Sequence, residues 1–182
     1  MDGKRYLEET GRELRRYRAL AERALAHVPP ERWSAEPAPG SNSLAILVKH
    51  VGGNLRSRWT DFLTTDGEKP DRDRDGEFEI RAGDDAAALR ALWDAGWSAF
   101  LASLGSLGDG DMERPVRIRG ETLSAFQAIQ RSLAHTAQHV GQIVYVAKML
   151  RGDGWKTLSI PRGASKSFNA SPAPYLSSPE RA

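Results

Sequence analysis

Two histidines stand four residues apart in the run Leu133-Ala-His-Thr-Ala-Gln-His-Val-Gly-Gln142. At about 100° per residue, His135 and His139 lie about 40° apart around a helix and face the same way. Neutral imidazoles so placed can share one divalent ion, the mechanical basis of helical His-x-x-x-His metal pairs. The metalloprotease version requires Glu after the first His, and this chain has Thr136 there. Two hydrogen-bonded core histidines show the same spacing, so the pair alone leaves both readings open. A third residue weighs toward metal. His50 sits in Leu44-Ala-Ile-Leu-Val-Lys-His-Val-Gly-Gly53, the most apolar stretch of another helical segment. A titratable group there is costly to bury without a partner. Helix bundles build metal sites from side chains on facing helices. One His from one helix and two from another give three nitrogen ligands with positions left open, which suits a catalytic site better than a closed structural one.

Polar residues cluster around these positions. Ser43, Asn54, Ser57 and Asp61 fall within about 40° of His50 on a helical wheel, and Gln142 falls about 20° from His135. Dry core faces carry Leu and Val at such positions, whereas a metal pocket carries groups that orient ligands. Asn54, Ser57 and Gln142 are therefore candidate catalytic-site residues. Asp61 stands far down the helix, and no general base is identified.

Four segments carry the period needed to position these residues. The first runs from about Lys4 to Val28 and stops at Pro29-Pro30. The second begins at Ser41 or Ser43 and is expected to run through Trp59, Phe62 and Leu63, ending before Gly67. Asp66 to Gly83 reads as a charged loop. The third helix starts at Asp84 or Asp85 and carries Leu89, Trp93, Trp97, Phe100 and Leu104, with the Trp pair read as core. Pro115 to Arg119 alternates apolar and polar before Gly120, a short strand or hairpin. The fourth helix spans about Leu123 to Leu150, with Ser124 and Gln127 as a capping box. The expected fold is all-α: a four-helix bundle over residues 1–151 and an irregular C-terminal tail over 152–182.

Composition narrows the chemistry. The 182 residues include no cysteine, which excludes disulfides, thiolate ligands and a cysteine nucleophile. Lys and Arg number 26 and Asp and Glu 24, interspersed, so no nucleic-acid-binding face is expected. No run approaches the roughly 18 apolar residues of a membrane span. Met1 to Thr10 has no apolar core of a signal peptide, and a cytoplasmic location is expected.

The order of one His in Ile46-Leu-Val-Lys-His-Val-Gly-Gly-Asn54, then Arg114-Pro-Val-Arg-Ile-Arg-Gly120, then His-x-x-x-His-x-x-Gln from His135 to Gln142, resembles the DinB/YfiT-like superfamily over roughly Met1 to Arg151. The resemblance extends to an uncharacterised branch with a tail like Trp155-Lys-Thr-Leu-Ser-Ile-Pro-Arg-Gly163. It implies a four-helix bundle, one zinc, nickel or manganese ion on three histidines, and a homodimer. Some members transfer a low-molecular-weight thiol to a small electrophile. The expected function is thus a metal-dependent enzyme, a thiol transferase acting on a small molecule. A metal-dependent hydrolase and a non-catalytic metal or small-ligand binder are the alternatives. The homodimer expectation also draws on surplus apolar surface, Trp59 included.

Other signals are weaker. Asp71, Asp73 and Asp75 before Gly76 look like half a calcium loop, but the twelfth position is Ala82 rather than Glu and Pro70 obstructs an entering helix, so a solvated charged loop is expected. His27 ends the first helix and suits a structural or exposed role. No Gly-x-Ser-x-Gly elbow or phosphate-binding glycine loop is present. Trp155, Leu158 and Ile160 predict that Trp155 to Phe168 docks on the bundle, with the last ten residues fraying. If it docks at the mouth of the metal site, Arg162 and Lys166 bind an anionic substrate.

Overall fold

The computed structural model describes residues 2–172. The chain is mostly helical, with four long helices around one core and a small two-stranded sheet. Helix α1 (Gly3–Ala26) begins at Asp2, whose side chain accepts the Lys4 N–H. Helix α2 (Leu44–Trp59) is capped by Ser43, whose Oγ accepts the Ile46 N–H at 3.3 Å. Helix α3 (Ala86–Ser106) is capped in the same way by Asp85. Helix α4 (Ala125–Arg151) starts with a complete capping box, Gln127 N–H to Ser124 Oγ and Ser124 N–H to Gln127 Oε1. Each cap satisfies N–H groups that a helix start leaves unpaired.

Strands β1 (Pro115–Ile118) and β2 (Glu121–Ser124) form an antiparallel hairpin just before α4. Arg119 and Gly120 make its two-residue turn with φ of 57° and 76°. Two positive φ values are what a right-twisted hairpin needs. Val116 and Ile118 point into the core.

Helix α2 is the central element. It is buried on nearly every side, packing on α3 and α4. Trp59 stacks on Phe62 and Phe100, and its Nε1–H donates to Ser132 Oγ on α4. Trp59 is 1% exposed, so it offers no surface to a second copy, contrary to the sequence expectation. Trp93 and Trp97 are core, as expected.

Helix α2 also ends earlier than its apolar pattern predicts. Thr60 is extended, its hydroxyl closes on the Arg56 carbonyl at 2.7 Å, and Asp61 is left-handed at φ 49°. The hydroxyl adds a second donor to a carbonyl that already accepts the Thr60 N–H, and aspartate tolerates the left-handed region better than most residues. Phe62 still reaches the core, but through this turn. Asp61 is consequently exposed and does not share the His50 face.

The tail forms a short helix, α5 (Ser165–Ala170), where irregular chain is expected. Its base docks at the C-terminal end of α1. Trp155 packs on His27 with ring centroids 4.6 Å apart, and Arg23 donates to the Leu158 carbonyl at 3.4 Å. Ile160 remains 41% exposed. The expected fraying of the last ten residues lies outside the described residues. No helix among the described residues is long and apolar enough to cross a membrane.

Helices α2 and α3 approach through glycine. A Cβ on Gly96 would overlap the Gly52 carbonyl oxygen and stand 3.0 Å from Gly52 Cα. Backbone cannot yield as a side-chain tip can. Gly96→Ala is therefore expected to destabilise by about 1–3 kcal/mol, overpacking outweighing the helix propensity gained. Gly141→Ala on α4, where an added Cβ meets nothing within 4 Å, is the control and should stabilise slightly. Thermal unfolding decides, at roughly 2–4 °C of Tm per kcal/mol. A rise in Tm for Gly96→Ala would refute the close approach.

Candidate metal centre

The three histidines converge. His50 Nε2 lies 3.2 Å from His135 Nε2, which lies 3.1 Å from His139 Nε2. Among the described residues they form the only group of three or more potential ligand side chains close enough to hold one ion. His50 comes from α2, and His135 and His139 from successive turns of α4. The half calcium motif does not gather. Asp73 turns to Arg81 and the Gly76 N–H, Asp71 pairs with Arg56, and Asp75 is solvated.

Hydrogen bonds on the far nitrogens settle how these rings face each other. His50 Nδ1 meets Glu77 Oε2 at 2.9 Å. A carboxylate only accepts, so Nδ1 carries the proton and a neutral His50 turns its Nε2 lone pair inward. His139 Nδ1 donates to Gln142 Oε1 at 2.7 Å, which turns its Nε2 lone pair inward too. His135 Nε2 faces both and can supply one proton at most. At least one pair of lone pairs is then opposed unless a cation lies between them. Zinc–nitrogen bonds of about 2.0–2.1 Å at tetrahedral angles put ligand atoms roughly 3.3 Å apart, close to the spacing found. The donor set thus fits a divalent ion.

Electrostatics agrees. Burial, then the neighbouring His139 and His50, depress the His135 pKa to about 3. Burial and His50 lower that of His139, against the Gln142 hydrogen bond. Burial raises the Glu77 carboxyl, but hydrogen bonds from His50 and Arg72 outweigh it and hold the pKa below the ordinary glutamate value.

Glu77 is the residue the sequence reading missed. It lies in a one-turn 3-10 helix (Asp75–Phe78) inside the loop expected to be solvated, yet it is 5% exposed. Arg72 holds it bidentately, Nε to Oε1 and Nη2 to Oε2, both at 2.8 Å. Arg72 also meets Glu68, which pairs with Arg58 at 2.9 Å and Arg119 at 3.2 Å. The loop is tied to the hairpin by Asp66, which accepts the N–H groups of Arg119 and Gly120 at 2.8 Å. The usable signal lay beside His50. A Cβ on Gly53 would overlap Glu77 Oε1, so Gly53 is the space in which the carboxylate sits.

The other expected site residues separate. Asn54 is buried and lines a cavity of about 300 Å³ over the histidines. Gln142 acts on His139 rather than on the cavity. Ser57 is turned away, donating to the Gly67 carbonyl and accepting from the Lys69 N–H, so it clamps the loop instead of facing the histidines. Arg162 and Lys166 are exposed and neither lines the cavity. The tail docks at the His27 end of α1, because Trp155 follows directly from the C-terminus of α4.

The depressed histidines give the metal-free protein a signed pH dependence. The unfolded chain takes up these protons near pH 6.5, while folded His135 refuses its proton until about 3. Stability therefore falls as pH drops below about 6.5 and goes on falling toward 3. Comparing urea unfolding at about pH 7.5 and about pH 5, His135→Phe should lose less stability than the parent chain. Equal losses would refute the assignment.

A family described as protein of unknown function (DUF1572) matches residues 2–164. No curated protein and no solved structure matches the chain.

Proposed function

The chain belongs to the DUF1572 family, and we propose that it is a divalent-metal-dependent enzyme acting on a small molecule, with thiol transfer its reaction. The observation that carries this reading is the inward convergence of three Nε2 atoms beside a cavity. Three protein ligands leave room for an exogenous one, as catalytic sites do. Four long helices bearing this His set also support the DinB-like bundle reading.

His50, His135 and His139 would hold the ion. Bound there, it would supply Lewis acidity and lower the pKa of a coordinated water or thiol. The chain's own groups position and shield. Glu77 fixes the His50 tautomer and strengthens it as a donor, and Gln142 does the same for His139. Asn54 offers an amide to a ligand in the cavity. Phe78 packs on the His50 ring at 4.7 Å and keeps water from that side.

The cavity favours thiol over water as nucleophile. No carboxylate of the described residues lines it, and Glu77 is already committed to His50 and Arg72. A coordinated thiol, with a free pKa near 8.5, ionises and attacks without a side-chain base, whereas hydrolysis by a metal-bound water also calls for a group that shuttles its protons. The absence of cysteine agrees with an external thiol. A homodimer belongs to the same proposal, with exposed Tyr145 and Met149 on α4 as apolar surface. Light scattering at micromolar concentration should give twice the chain mass.

Elemental analysis tests the metal directly. Purified protein should carry about one divalent ion per chain, and His50→Ala or His139→Ala should remove most of it. Glu77→Gln should weaken binding by about 10–100-fold while the fold persists. Metal retained in full by both histidine variants would overturn the reading. Turnover of an electrophile only when a small thiol is added, against none of an ester panel, would favour transfer over hydrolysis.

A further inference from the structure

The cavity over the histidines has a one-sided charge. Arg58, Arg72, Arg74, Arg119 and Arg131 line it, and no Asp or Glu among the described residues does. The neighbouring cavity of about 380 Å³, across the Arg72–Glu77 pair, is lined by four cationic and four acidic residues. Cationic surface alone is therefore not the rule on this face of the molecule.

The five arginines divide by what they already hold. Arg58 and Arg72 have side chains 9% and 4% exposed, and their partners Glu68 and Glu77 lie behind the cavity wall. Arg119 reaches the same Glu68. Arg74 and Arg131 differ. Their nearest carboxylates, Asp75 and Glu121, are solvent-exposed and stand at 3.7 Å and 3.9 Å, beyond hydrogen-bond range. Such exposed pairs contribute little and yield readily to a better partner. Arg74 is steadied by lying over the Phe78 ring at 5.4 Å. Arg131 is on α4 four residues before His135, hence on the same face, one turn nearer the hairpin.

Resting on the metal reading above, we infer that the site selects a small substrate or cosubstrate bearing an anionic group, such as a carboxylate or phosphate. Arg74 and Arg131 receive that group while another part of the molecule reaches the ion. Guanidinium forks suit both anions, offering paired N–H donors to paired oxygens. The buried Arg58 and Arg72 add positive potential in a cavity where water screens poorly. A volume of about 300 Å³ accommodates a molecule of a few heavy atoms beyond the ion, not a polymer.

The test uses the whole chain loaded with cobalt(II), whose absorption reports both occupancy and thiolate coordination. Three thiols of similar size are titrated: 3-mercaptopropionate, 2-mercaptoethanol and cysteamine, which are anionic, neutral and cationic. The anionic thiol is expected to bind about tenfold tighter than the neutral one, as a charge-assisted hydrogen bond allows, with the cationic one weakest. In the Arg74→Gln/Arg131→Gln double variant that preference should fall below about threefold, and sodium chloride should erode it in the parent chain. The cobalt spectrum without thiol should be the same in both proteins, which shows that the centre is intact. Uptake of cobalt one to one without a preference for the anionic thiol overturns the inference and leaves the metal reading standing. A preference that survives in the double variant overturns the assignment to Arg74 and Arg131. Failure of the parent chain to take up cobalt overturns the metal reading, and the inference with it.

Discussion

The hydrogen bond between Glu77 and His50 is the interaction on which the site depends. A carboxylate only 5% exposed is tolerable because three donors from two residues face it. Once in place, it decides which His50 nitrogen carries the proton, and so which way the other lone pair points. Remove Glu77, and His50 has no reason to present Nε2 to α4. Remove Gly53, and Glu77 has no space. The loop from Asp66 to Phe78 is thus a wall of the site, anchored on one side by Asp66 at the hairpin turn and on the other by Arg72.

Helix α2 divides its labour by face. On one side Gly52 meets Gly96 and lets the α3 backbone come near. On another, His50 and Asn54 look across to α4. Trp59 closes the far end, stacked on Phe100 and bonded to Ser132. Rigid packing matters to chemistry because three nitrogens within 4.8 Å of one another keep that spacing only while α2 and α4 hold their places. A loosely packed α2 would let the imidazoles swing apart, and the ion would then have to bear the cost of ordering them.

Charge is distributed with the same economy. Glu68 is shared by Arg58, Arg72 and Arg119, which fixes cations on the cavity wall without putting a carboxylate into the cavity. Burial above all depresses His135, and the smaller push that Arg72 and Arg58 add comes from the field an anionic ligand would feel. Ligand basicity and electropositive surroundings are compatible here because His50 is buried, His135 and His139 are half-buried, and the far nitrogens of His50 and His139 are held.

Local signals made much of this legible in the sequence. Capping residues narrow the helix starts to Ser41 or Ser43, to Asp84 or Asp85 and to the Ser124–Gln127 box, because caps act within three residues. The pairing of His135 with His139 follows from helical pitch alone, and Gly120 marks a turn because glycine accepts positive φ. What tertiary structure decided was every relation between distant segments. Trp59 was read as surface, yet packing on Phe62 and Phe100 makes it core. Ser57 shares the helical face of His50 on a wheel, but a loop ten residues on claims its hydroxyl. Arg162 and Lys166 looked available to the site, yet the tail docks at His27. Glu77 sat in a run of charges indistinguishable from a solvated loop, because burying a charge depends on partners: Arg72 stands in the same loop, but His50 meets Glu77 only when the chain folds back.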